Sequence, residues 1–230
     1  MNTLKKTARI AGVLYLLVGI FGGFAEGFVD PKMYIASNAA ATTTNLIANS
    51  ELVRLGVVAH LLDGTFFVFL AMMLYTLLEH VNKNAARAML ILVILATGII
   101  CLNAVFEFEA LRVATGVVNM TSLGHAGSDA VVLLLMDTQH YGTLIAQVFF
   151  GLWLVPLGYI AYISKLFPKW LGVLLIAGGI CYLIDLLAAF LLPDFGLKIH
   201  AFVVIPSALA EISMVLYLLI IGVRTHKQNK

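Results

Sequence analysis

The sequence predicts an all-α, polytopic membrane bundle: a single domain over residues 1–230 with about six transmembrane helices and both termini cytoplasmic. Its composition, the length of its apolar runs and the placement of its lysines and arginines lead there. Hydrophobic residues make up 62% of the chain and charged residues 11%, against about half and about a quarter in soluble domains. So few charges cannot cover a folded surface in water, whereas lipid removes the need. The formal charge of +2 is small, and no basic stripe with interleaved aromatics is present. Nucleic acid is therefore not an expected partner, and the lipid bilayer is.

Six apolar runs follow in order, at residues 10–29, 55–78, 88–111, 141–163, 171–192 and 201–223. Each suits a hydrocarbon core that takes about 20 helical residues to cross. Barrel strands would instead alternate in pieces of about ten residues, and these runs do not. The first run has a basic head, as a signal peptide does. It continues to Phe28 without an A-x-A-like cleavage site, so it is expected to be a retained helix. Cys101 and Cys181 fall inside apolar runs, where a free thiol packs as a small hydrophobe.

Orientation follows from the cations. Lys5, Lys6, Arg9, Lys83, Arg87, Lys165, Lys169, Arg224, Lys227 and Lys230 fall on the side of the termini, and only Lys32, Arg54, Arg112 and Lys198 on the other. Ten against four in short connections places both ends inside. The outer connections 30–54 and 119–140 are the long ones. Ser37 or Asn38 is placed to cap a short surface helix in the first. The second carries AVVLLLM, too short to cross and expected at the interface or against the bundle. Gly19, Gly22, Gly23, Gly178 and Gly179 are expected to let helix backbones approach. Pro156 and Pro206 fall inside the fourth and sixth runs, where freed carbonyls often border a cavity.

The informative residues are the polar ones inside these runs. An ionisable group in a span costs at least about 2.5 kcal/mol near the centre and usually faces the bundle interior. His60 and Asp63 share a face of the second run; Asn103 and Glu107 are in the third; His140 and Gln147 open the fourth. Asp185 is in the fifth and Glu211 in the sixth, each lacking a partner one turn away. Most of these fall between the outer interface and the middle, so they are expected to line an outward-biased polar pocket. Asp185, Glu211, Asp63, Glu107, Asn103 and Gln147 are the candidate ligand-binding residues. His60, Asp63 and His140 are the candidate metal ligands. Glu109 and Arg112, at i and i+3, are expected to pair.

His140-x-Gly142, Phe149-Phe150-Gly151-Leu152-Trp153-Leu154-x-Pro156-Leu157-Gly158 and Ser164-x-x-x-Pro168-x-x-Leu171-Gly172-Val173-Leu174-Leu175 form a recognisable series. With Ala8-Arg9-Ile10-Ala11-Gly12, Leu14-Tyr15, Leu74-Tyr75, Gly179-x-x-Tyr182-Leu183-x-Asp185 and Glu211, the chain resembles the bacterial membrane family called domain of unknown function 4386. The resemblance implies a six-helix protein of a bacterial inner membrane and assigns no reaction.

The residues themselves support three readings. The first is a protein that binds or transports a small molecule, lipid or ion through Asp185 and Glu211. The second is an intramembrane metal-dependent hydrolase built on His60, Asp63, His140 and Glu107 or Asp185. The third is a partner subunit whose polar groups fix helix register. No cofactor is named by the sequence, and paired histidines at matching depth, as haem would need, are not evident.

Overall fold

The computed structural model describes residues 3–224; Lys227 and Lys230, counted above for orientation, lie outside the described residues. The chain is all-helical, with no strand among the described residues. The helices are α1 (Thr3–Phe24), α2 (Ala39–Ala48), α3 (Ser50–Leu78), α4 (Lys83–Ala114), α5 (Gly124–Ile163), α6 (Lys169–Leu191) and α7 (Pro193–Ile220). Six of them are long and apolar enough to cross a membrane, α1 together with its extension to Met33. Their outward faces carry large apolar side chains, among them Ile20, Leu55, Ile91, Leu102, Leu187 and Phe202. A water-soluble surface does not tolerate apolar exposure on this scale.

The ends have local causes. Asn38 caps α2 by accepting from the Ala41 N–H at 3.0 Å, as expected, and Asn82 does the same for α4 through Ala85. Pro168 precedes α6 and Pro193 opens α7, where a missing N–H is harmless. The spans run longer than the hydropathy runs because their polar ends remain helical. The largest difference is in α5, where AVVLLLM is not a separate patch but the opening turns of a 40-residue helix. Val132 and Met136 from it are fully buried, and no proline interrupts the helix before Pro156.

Past Phe24, α1 widens into a π-helical stretch, Ala25–Val29, before a last turn, Asp30–Met33. Pro31 explains the widening: it has no N–H for the carbonyl four residues back, and its ring crowds that carbonyl. The Asp30 N–H bonds to the Ala25 carbonyl instead.

Contacts gather the chain into two compact units. The first comprises residues 3–16, 66–96 and 146–224. Trp153 is buried there, edge-on to Tyr15 and Phe67 at 5.6 and 5.1 Å between centroids. In this unit α5 and α6 meet through two glycine pairs. A Cβ on Gly151 would fall 2.7 Å from the Gly179 carbonyl oxygen, and one on Gly158 would fall 2.7 Å from that of Gly172. The second unit comprises residues 17–65 and 97–145. Its core joins Val29, Met33, Leu46, Val53, Leu111, Val132 and Met136, so α2 is packed on that core through Leu46. Of the glycines in the first run, Gly22 lies against Asp63, while nothing is within 4 Å of a Cβ on Gly19 or Gly23. These two face outward and bring no helix close.

Candidate functional site

The site is best built in the second unit, where four helical segments each contribute a polar group. The widened end of α1 turns the Asp30 carboxylate toward α3, and the His60 Nε2 lies 3.4 Å from its Oδ2. From α4, Glu107 brings Oε2 to 3.9 Å from the same nitrogen. From α5, the Gln139 amide donates to Asp30 Oδ2 at 2.7 Å. One donor atom from each of Asp30, His60 and Glu107 lies within 4.8 Å of the others. Gly56, one turn before His60, makes the room: a Cβ there would stand 3.3 Å from Glu107 Oε1 and 2.8 Å from Val29.

Burial sets the electrostatics. His60 is 3% exposed and Glu107 0%, while the Asp30 side chain keeps 16% of its surface and gives the cluster its contact with the outside. Glu26, one turn before Asp30, lies within electrostatic reach of His60. Neither Glu107 oxygen accepts a hydrogen bond among the described residues. Two carboxylates thus stand beside one imidazole with a third within electrostatic reach, and Glu107, the more deeply buried of the two, has no hydrogen-bond donor among the described residues. Such a group is expensive to hold as an anion unless a cation is near.

The surrounding groups hold this arrangement. Asn103, one turn from Glu107, donates to the Thr143 hydroxyl at 3.2 Å, and that hydroxyl donates to the Gln139 carbonyl at 3.2 Å. Tyr34 donates to Asp137 at 2.5 Å and stacks on the His140 ring at 5.0 Å. Burial first, then the Asp137 carboxylate, holds the Tyr34 phenol well above its ordinary range, so it remains a donor.

The first unit holds two further polar clusters. Glu211 accepts from Tyr15 at 2.8 Å and from Tyr182 at 2.7 Å, one oxygen for each phenol. Asp185, 3% exposed, faces His200 Nδ1 at 2.9 and 3.0 Å. Both carboxylates therefore draw partners from other helices. Gln147 belongs to this unit, and its Oε1 has no hydrogen bond among the described residues.

A family model described as domain of unknown function (DUF4386) matches residues 10–222. The chain belongs to that family. No curated protein and no solved structure matches it.

Within this family member, the sequence singled out His60, Asp63, Asn103, Glu107, His140, Gln147, Asp185 and Glu211. The structure joins His60 to Glu107 and sets Asp63 against Gly22 and His140 against Tyr34. Glu109 and Arg112 pair at 2.5 Å. Asp30 and Gln139 were missed. Asp30 lies just past the first apolar run, which ends at Val29, in a stretch that reads as a connection; Asp-Pro after an apolar helix carrying Glu26 is the signal that marks it. Gln139 sits one turn before Thr143, in a stretch treated as a connection.

Proposed function

We propose that this is a multi-pass protein of a bacterial inner membrane, both termini inside, that binds a divalent cation at Asp30, His60 and Glu107. The observation that carries the reading is the Glu107 carboxylate: fully buried, without a hydrogen-bond donor, beside a second carboxylate and one imidazole. A bound ion supplies the missing positive charge. The donor chemistry fits, since imidazole with carboxylates suits zinc or manganese. Tetrahedral zinc with bonds near 2.1 Å places its ligand atoms about 3.4 Å apart. Two of the three separations, 3.4 and 3.9 Å, are close to that, and all three donor atoms lie within 4.8 Å of one another. Gln139 acts as the outer partner that orients Asp30.

Three protein donors leave one tetrahedral position for water or a substrate, the arrangement of catalytic rather than structural zinc sites. That supports metal-assisted hydrolysis as the second reading, behind cation binding itself.

The test is elemental analysis of the full chain purified without added metal. About one zinc or manganese ion per chain is expected, falling below a tenth in His60→Ala and in Glu107→Gln. A stoichiometry near zero after metal loading, or one unchanged in both variants, leaves only a hydrogen-bonded histidine–carboxylate cluster and overturns the reading.

A further inference from the structure

Within the first unit, the turn joining α5 to α6 and the segment after α7 border an open cleft of about 580 Å³. Its walls carry Lys165, Lys169 and Arg224, together with Tyr162 and Ser164. The Arg224 N–H bonds to the Leu166 carbonyl at 2.9 Å, which pins the end of the chain across the turn and brings the third cation there. None of the three cations pairs with a carboxylate among the described residues. Three like charges around one cavity repel one another, and an anion relieves that.

A second cleft of about 250 Å³ lies on α6 and α7, walled by Trp170, Ser213, Leu216, Tyr217, Ile220 and Ile221. It is almost wholly apolar. The two clefts are neighbours: Trp170 of the second follows Lys169 of the first, and the Phe167 ring of the first lies 5.6 Å from the Tyr217 ring of the second. Tyr217 is 7% exposed, and its buried hydroxyl has no hydrogen-bond partner among the described residues. With its hydroxyl turned inward, this side chain forms the floor of the groove.

We propose that this end of the protein is a binding site for an anionic phospholipid. The headgroup phosphate sits among Lys165, Lys169 and Arg224, and an acyl chain lies along Leu216 and Ile220. The charge complementarity selects an anionic headgroup, and the adjoining apolar groove selects a lipid over a free ion. Basic pockets at helix ends capture anionic headgroups by this combination.

The experiment is native mass spectrometry of the full chain in detergent, titrated with phosphatidylglycerol, phosphatidylcholine or inorganic phosphate. Phosphatidylglycerol is expected to remain bound at least tenfold more tightly than phosphatidylcholine, less so at high salt. At about fivefold per cation, Arg224→Gln weakens it about fivefold, and the triple change Lys165→Gln, Lys169→Gln, Arg224→Gln abolishes the preference. Lys83→Gln with Arg87→Gln, which removes charge elsewhere, leaves the preference intact. Equal binding of the two lipids overturns the proposal, as does a preference that survives the triple change. Protection by inorganic phosphate equal to that by phosphatidylglycerol overturns the lipid assignment in favour of a phosphate site.

Discussion

Gln139 and Glu107 show how much depends on single polar atoms where water is scarce. Gln139 donates to Asp30 Oδ2 at 2.7 Å and so fixes which way that carboxylate faces. Replacing it by leucine keeps the volume and removes the donor. Outer-shell partners of this kind typically contribute 10–100-fold to metal affinity. Gln139→Leu is therefore expected to weaken zinc or manganese binding by about that factor, measured by competition with a chromophoric chelator, while the helical content is unchanged. Unaltered affinity would show that Asp30 needs no such support. His60 and Glu107 stood out in the sequence because a charge inside an apolar run has no cheap alternative to facing inward. Asp30 did not, because a π-turn adds a residue without leaving a hydropathy trace. It was Pro31, not apolarity, that marked where the helix changes phase.

Helices meet closely where side chains permit it. Gly151 faces Gly179 and Gly158 faces Gly172, so that a methyl at any of the four would meet a backbone oxygen at 2.7 Å or less. Backbone cannot swing aside as a long side chain does, and overpacking of this kind costs about 1–3 kcal/mol. Gly158→Ala and Gly179→Ala are expected to lower the thermal midpoint in detergent by several degrees, followed by intrinsic fluorescence of buried Trp153. Gly19→Ala and Gly23→Ala, with open space around them, are expected to leave it unchanged. Equal effects in both sets would refute the packing argument. All four close-packed glycines lie in the stretches that carry the family resemblance, so this contact was legible as a motif before it was legible as geometry. The extent of α5 was not, because a hydropathy window ends a span at polar residues such as Asp137 and Gln139, whereas the backbone continues until its hydrogen-bonding pattern is broken.

At the scale of the whole chain the governing quantity is the uneven placement of cations, since Lys and Arg in short connections resist transfer across a membrane. Helix number and order were legible because six runs of this length leave the backbone no other way to satisfy its N–H and C=O groups in lipid. With both termini inside, as proposed from the ten-to-four asymmetry, Asn84, near the start of α4, is expected inside and Val117, after its end, outside. Both are exposed, and Cys101 and Cys181 are free thiols that alanine can replace. In that background Val117→Cys is expected to react with a membrane-impermeant maleimide on intact cells, and Asn84→Cys only after permeabilisation. The reverse pattern would invert the protein, and would move Asp30 and the exposed edge of its cluster to the cytoplasmic side. Labelling of both on intact cells would mean that α4 does not cross at all, which its 32 apolar-rich residues make the least tenable outcome.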